Sequence, residues 1–415
     1  MMKNLINYTF LSIILTTASV FSQNYSLYSR FGLGSIEGSQ SIRSAGLGGF
    51  GTSDLVHDYV ATSNPASWSA LTSTRFQFGT VLIGNSSEDA SLSSYAAQGY
   101  FSGFSFAFPV SGKNGIGVSL GLLPYSSVNY DMKVRGQDSR IGSDYIQEAK
   151  GEGGLAKLYI GSSWKPAGDF RIGAALNYYF GKMSYLNTVS FTDGASLKTD
   201  FSKSYRMKGV GFDAGVISPE LSGILGVEEV IPGIRVGFAM SYFNKFTSDS
   251  LFAGGNNIVI DTLSYGAGSA QIPLKLSFGA SLQLNRFMRV HLDMITQSWS
   301  SYEVNGMKDP NMQDMMRIGS GFEYRVKDRD RNFDSEIYRG SIFYEKTPLV
   351  INGQSITEIG ASAGVSFSLS PESYFDLSLQ YIRRGTTDNG LVKENIFRLH
   401  AGMSLGEIWF LQQER

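Results

Sequence analysis

The side chains with the richest chemistry crowd into one short stretch. Arg289-Val-His291-Leu-Asp293 spaces a guanidinium, an imidazole and a carboxylate two residues apart. On a β-strand such residues share a face, so all three would point the same way. With a nearby serine, a His–Asp pair could drive acyl transfer. The same alternation, however, places single charges on many other segments: Arg171, Asp213, Arg235, Lys275, Arg317, Glu323, Arg325, Asp376, Arg398 and His400. Charges of both signs spread so widely describe a lined interior in which they pair with one another, not one catalytic centre. No enzyme is therefore expected. The histidines (His57, His291, His400) show no chelating spacing with carboxylates, and there is no cysteine. Gly-x-Gly-x-x-Gly after a strand and Gly-Lys-Ser in a βαβ setting are both absent, so neither a metal nor a cofactor is expected. A net charge of -1 supplies no basic surplus for nucleic acid.

The elements that must carry these charges have period two. Phe170-Arg-Ile-Gly-Ala-Ala-Leu176-Asn-Tyr178-Tyr-Phe180 alternates apolar residues with small or polar ones. Ile234–Tyr242, Leu274–Leu282, Phe375–Tyr381 and Phe397–Leu405 do the same. Each segment has a greasy face and a face of Gly, Ser and charge. Runs of about 10 residues suffice for a tilted strand to cross a bilayer. The second face is too small and polar for a shared soluble core, so the pattern reads as a membrane barrel, apolar outward and polar inward. Trp164, Tyr178, Phe180, Tyr242, Trp299, Tyr324, Tyr381 and Trp409 are placed as interfacial aromatics.

Composition agrees. Forty-eight glycines, 13% aromatics and only 17% charged residues contrast with about 7% glycine and about 25% charge in ordinary soluble chains. A mean hydropathy of -0.07 is the average of two opposite faces. The expected fold is all-β, a transmembrane antiparallel β-barrel of about fourteen strands. The expected spans are 74–84, 99–110, 115–134, 143–165, 169–193, 199–217, 233–247, 258–284, 287–304, 314–327, 340–350, 356–369, 373–388 and 391–406. Tight turns at Ser111–Asn114, Lys165–Gly168, Asn285–Arg286 and Ser370–Glu372 alternate with looser links at Asn85–Ser94, Ser248–Asn257 and Asn305–Asn311, as periplasmic turns and outer loops should. Two short-side connections run longer: Ser218–Pro232, which resembles a small helix, and Asp328–Arg339, whose Lys327–Arg331 charge run reads as a solvated turn.

The chain divides into 1–22, a signal peptide with Lys3 ahead of an apolar stretch and a Val20-x-Ser22 cleavage site; 23–72; a barrel over 73–410; and a tail, 411–415. Residues 23–72 do not alternate. They are rich in glycine and serine yet hold Phe31, Leu33, Leu47, Phe50, Tyr59, Trp68 and Leu71. Irregular backbone at membrane depth is tolerated only inside protein or against water, so this segment is expected as a plug in the lumen.

Gly46-Leu-Gly48-Gly49, then Thr52-Ser-Asp54, Asp58 and Asn64-Pro65-Ala66 ahead of the first alternating strand, resemble the start of the outer-membrane long-chain fatty acid transporters, the FadL/TodX family. The resemblance implies a fourteen-stranded barrel with an N-terminal lumenal hatch, in the outer membrane of a bacterium. It implies passage of a hydrophobic small-molecule ligand, long-chain fatty acid-like, with the lipid bilayer as its other partner. A second unit, Tyr28–Gly34, extends the hatch at its start, and the chain does not end on an aromatic residue. Glu394–Arg398 through Gly406–Phe410 looks like the end of FadL-like proteins of Bacteroidetes. Some of those serve as shuttle or plug subunits of type IX secretion or gliding machinery, which adds outer-membrane or secretion-system subunits as alternative partners.

Overall fold

The computed structural model describes residues 26–37, 41–90, 92–138, 143–191, 198–256, 260–327 and 334–407. The expected signal peptide, Trp409, the C-terminal tail and residues 328–333 lie outside these. The chain forms a closed fourteen-stranded antiparallel barrel. Its strands are β1 (Thr74–Glu88), β2 (Ser93–Ser111), β3 (Ile116–Asp138), β4 (Ser143–Trp164), β5 (Arg171–Phe191) and β6 (Thr199–Ile217). Two interrupted strands follow, β7 (Gly233–Phe243 and Phe246–Asn256) and β8 (Ile260–Gln271 and Lys275–Gln283). The remainder are β9 (Met288–Gln297), β10 (Met315–Lys327), β11 (Asp334–Ile351), β12 (Gln354–Ser370), β13 (Ser373–Arg384) and β14 (Lys393–Glu407). Each strand pairs with the next, and β14 closes onto β1 from Lys393 opposite Glu88 to Glu407 opposite Thr74. Closure leaves no unpaired edge, the condition for a sheet in lipid.

Several strands exceed the expected spans: β2 begins at Ser93, β3 runs on to Asp138 and β11 begins at Asp334. β3 has 23 residues and β4, close to its expected span, has 22, against about 9–11 needed to cross a bilayer. The surplus stands above the membrane at the long-loop end. Two links read as loose are strand there: Phe246–Asn256 pairs along β6 and β8, and β1 runs on to Glu88. Asn85–Glu88 and Ser248–Asn256 are rich in Ser, Gly and Asn, so no continuous apolar face marks them in the sequence, although Asn85, Ser248 and Ala253 are buried. The link at 305 opens with an Asn305-Gly306 hairpin between Glu303–Val304 and Met307–Lys308. Asn352-Gly353 joins β11 to β12 in the same way, both residues at positive φ, as a type I′ turn demands.

The breaks in β7 and β8 lie side by side. Pro273 cannot donate to a ladder, and Asn244–Lys245 interrupts the facing strand. Phe243, Phe246 and Ile272 turn into the lumen there and join Tyr125, Tyr179, Trp299 and Tyr302 in one buried cluster. Trp299 was expected among the interfacial aromatics. It is instead 2% exposed, because the chain has left β9 and turned inward through a short 3-10 turn, Trp299–Ser301. Trp164, Tyr178, Phe180, Tyr242, Tyr324 and Tyr381 do face outward.

Leu176 and Leu379 are more than half exposed in mid-barrel, and Phe238 stacks its ring 5.1 Å from outward-facing Phe278. Single cysteines at Leu176, Phe238 and Leu379 are unambiguous labelling sites in this cysteine-free chain. Spin labels there are expected to be relaxed by oxygen rather than by a water-soluble relaxant, with Lys113 on an exposed short turn as the aqueous control. Water-type relaxation at Leu176 would refute the membrane orientation.

Candidate functional site

Residues 26–37 and 41–71 run through the barrel interior, and the inward strand faces are cut away to admit them. A Cβ on Gly215 of β6 would lie 1.9 Å from Asn64 Oδ1, and one on Gly173 of β5 would lie 2.3 Å from the Pro65 carbonyl carbon. Asn64 is fully buried. Its Nδ2 donates to the carbonyls of Thr52 (2.7 Å), Val216 (3.1 Å) and Phe238 (3.3 Å), while its Oδ1 accepts from Ala66 N (3.0 Å). One side chain thus caps the 3-10 helix Pro65–Ala70 and ties it to β6 and β7. Pro65 occupies the first helical position, where its missing N–H costs nothing. Gly46 ends a short helix, Ile42–Gly46, and lies against the wall near Ser378 and Gly364. Gly48 and Gly49 follow at positive φ, and Gly49 N returns to Ser44 O at 2.7 Å.

Charge holds this segment at two levels. Near the short-turn end, Arg43 pairs with Asp58 and, at 2.7 Å, with Glu323. Arg325 bridges Glu323 (2.8 Å), Asp58 (3.1 Å) and Asp334 (2.9 Å). Arg339 adds Glu323 (3.0 Å) and reaches Asp376 directly (3.8 Å) and through Ser366. Burial alone would raise the Asp58 carboxyl. The guanidinium groups of Arg325 and Arg43 outweigh it and hold Asp58 far below its ordinary value. Arg289 meets Asp54 at 2.7 Å, and Asp293 accepts from Gly51 N and Thr52 N at 3.1 and 2.9 Å. Towards the long-loop end, Glu394 accepts from Ser26 Oγ and Leu27 N, beside the Arg384–Glu358 pair at 2.6 Å. Arg317 pairs with Glu345 at 3.0 Å and donates to Gly48 O at 2.7 Å.

The other charges expected in the lumen sit in smaller groups. Arg171 and Arg235 share Asp169 at the short-turn mouth, and Asp213 lies near Lys157 and Lys275. His291 and His400 are buried, and neither makes an ion pair among the described residues. Both Asp293 oxygens are taken by backbone N–H groups and neither His291 nitrogen has a partner, so the pair lacks the geometry of a base and its orienting acid.

Two spaces flank the lower charge lattice. A cavity of about 160 Å³ towards the long-loop end is lined by apolar residues, among them Phe31, Leu33, Trp299 and Met312, and by charged ones, among them Lys275, Arg317, Glu345 and Arg398. A wider space of about 880 Å³ opens at the short-turn mouth, lined by Leu71, Phe108, Val110, Lys165, Arg171, Arg235 and Arg289.

The BamG family profile matches residues 1–414 of this chain. The chain belongs to the BamG family. No curated protein matches it. Among solved structures, this BamG-family barrel is similar to the toluene transporter TbuX of Ralstonia pickettii (15% identity, 88% of this chain and 98% of that one, TM-score 0.59). It is also similar to the toluene transporter TodX of P. putida (13%, 89% and 98%, 0.58) and to a Pseudomonas aeruginosa FadL homologue (13%, 88% and 97%, 0.57). Identity this low is a likeness of fold, and the expected FadL-like architecture is shared at that level.

Sequence reading missed Arg43, Arg339, Glu345, Glu358, Arg384 and Glu394 as members of the BamG-family lumen. Arg339 was assigned to the charged connection 328–339, yet β11 begins at Asp334. The period-two signal was there, since Arg339 and Ser341 share a face. Arg43 carries no such signal, because its helix is one turn long.

Glu323 serves three guanidinium groups at once. Glu323→Gln is expected to destabilise the barrel by about 3–5 kcal/mol, the cost of stranding buried charge, read as urea unfolding of protein folded in vesicles. Glu229→Gln on an exposed connection should stay within about 0.5 kcal/mol. Because the folded value of Asp58 is depressed, its contribution is complete above the ordinary aspartate value near about 3.9 and is lost only as pH falls through the lower folded value. Acidification from neutral to about pH 5 should leave that contribution intact, checked by comparing unfolding midpoints of the parent and Asp58→Asn.

Proposed function

We propose that this barrel passes small hydrophobic molecules across the bacterial outer membrane, with residues 23–72 acting as a hatch. The long-loop-end cavity carries the reading: an apolar wall at the outer end of a barrel whose fold is shared with proteins described as toluene transporters. The driving force is removal of apolar surface from water, about 25 cal/mol per Å². Size refines the solute. A dry apolar cavity of about 150 Å³ holds a benzene-sized molecule, and this one is about 160 Å³, its lining mixing apolar side chains with charged ones such as Glu37, Arg317, Glu345 and Arg384. A single ring fits, whereas a long acyl chain would need residues 26–37 to move aside. Arg398 and Lys275 in the lining would receive a polar end group.

The charge lattice supports a second reading, a FadL-like barrel that conducts nothing and serves as a shuttle or plug subunit of a type IX secretion or gliding machinery. Arg43, Asp58 and Asp54 tie the segment to strands β9 and β10 through ion pairs, and breaking any one strands a charge. Such a segment resists displacement.

Uptake of radiolabelled toluene by cells lacking their own aromatic-hydrocarbon channels separates the two. Expression of this chain is expected to speed uptake, and Met312→Trp, which fills the cavity, should return it to background while the protein remains folded. No acceleration by the parent protein would remove the transport reading and leave the closed barrel.

A further inference from the structure

The connections at the short-turn end are economical, with one exception. Residues 112–115, 284–287 and 371–372 close their hairpins in a few residues, whereas β6 and β7 are joined by residues 218–232. This segment is built, not slack. Glu220 accepts from Ser222 N (2.6 Å) and Ile234 N (3.0 Å). Leu221 N donates to Ile234 O (2.8 Å) and Ser218 N to Val236 O (2.9 Å). A one-turn helix, Ser222–Leu225, ends at Gly226 in the left-handed region. Val227 N, Val230 N and Ile231 N then complete the turn that follows. Arg235 fastens its base by donating to Ser218 O at 3.0 Å. Hydrogen bonds from Ser222 and from the Ile234 backbone hold the Glu220 carboxyl down at about 2.

The scaffold presents aliphatic side chains to water. Ile224 is 77% exposed, Leu225 60% and Val230 77%, with Val227 beside them. A turn needing only to reverse the chain would be polar. Clustered exposed aliphatics on a rigid support mark a contact surface. Glu228 and Glu229 lie among them and are also exposed. Anionic headgroups attract basic segments and repel acidic ones, so the charge disfavours burial in the lipid interface and favours a protein with a basic edge.

We propose that residues 220–231 form a docking knob for a second protein on the periplasmic side, one whose apolar cleft receives Ile224, Leu225 and Val230 and whose Lys/Arg rim meets Glu228 and Glu229. The inference rests on the orientation of the barrel and not on whether its lumen conducts.

The cysteine-free chain allows a direct test. Ile224→Cys and Val230→Cys are each reacted with a membrane-impermeant maleimide in the full-length protein. One set is labelled in its native membranes, and another after purification into phosphatidylethanolamine–phosphatidylglycerol vesicles with the short-turn end outward. Heat-modifiability on gels verifies the barrel. Labelling at least about tenfold slower in native membranes than in pure vesicles is expected, since thiol reactivity follows exposure. Glu228→Lys with Glu229→Lys should restore fast labelling of Val230→Cys in native membranes. Equal, fast labelling in both settings would overturn the proposal. Slow labelling in pure vesicles would overturn it in favour of lipid insertion. Native protection unmoved by the charge reversal would overturn the basic rim.

Discussion

An irregular chain threaded through a membrane barrel brings its unpaired backbone groups and charges with it, and no water is at hand to satisfy most of them. The interior of this protein is organised by that requirement. Asn64 receives and gives hydrogen bonds on three sides, Asp293 takes the N–H groups of Gly51 and Thr52, and Arg317 takes the Gly48 carbonyl. The charged strand residues that looked like a candidate chemical site are the counter-surface for residues 26–37 and 41–71. They form pairs because an unpaired buried charge is far costlier than a paired one.

Two kinds of fit accompany the pairing. Glycines on β5 and β6 let backbone approach backbone where any side chain would collide. Above them, the paired breaks in β7 and β8 turn Phe243, Phe246 and Ile272 inward, so the upper lumen is packed with aromatic and aliphatic side chains. Polar lattice below and apolar cluster above leave little free volume between them. Among the spaces left are a cavity of about 160 Å³ on the long-loop side and a basic vestibule at the other mouth. The outward surface needs none of this. Its strands carry a belt of exposed apolar side chains, and residues 218–232 leave the barrel with further aliphatic side chains, Ile224, Leu225 and Val230, exposed.

The fold was largely legible because a membrane barrel writes both of its faces in one strand, as in Phe170–Phe180. Legibility failed where the two faces stopped differing. Ser248–Asn256 is rich in Ser, Gly and Asn and read as a loop, though it is strand with Ser248 and Ala253 buried. Asp334–Arg339 carries three charges in six residues and read as part of a connection, though it is the start of β11. Trp299 has the composition of an interfacial residue, and only the exit of the chain from β9 turns it inward.

The sequence by itself determined the strand period, the apolar and polar faces, and the separate character of residues 23–72, since these follow from local side-chain order. It also marked Asn64-Pro65 as a turn and listed many of the inward charges. Tertiary structure alone decided which charges meet. Arg43 and Glu323 lie 280 residues apart in the chain and 2.7 Å apart in space. Barrel closure and the threading of the N-terminal segment bring them together, and no local pattern encodes a pairing at that separation.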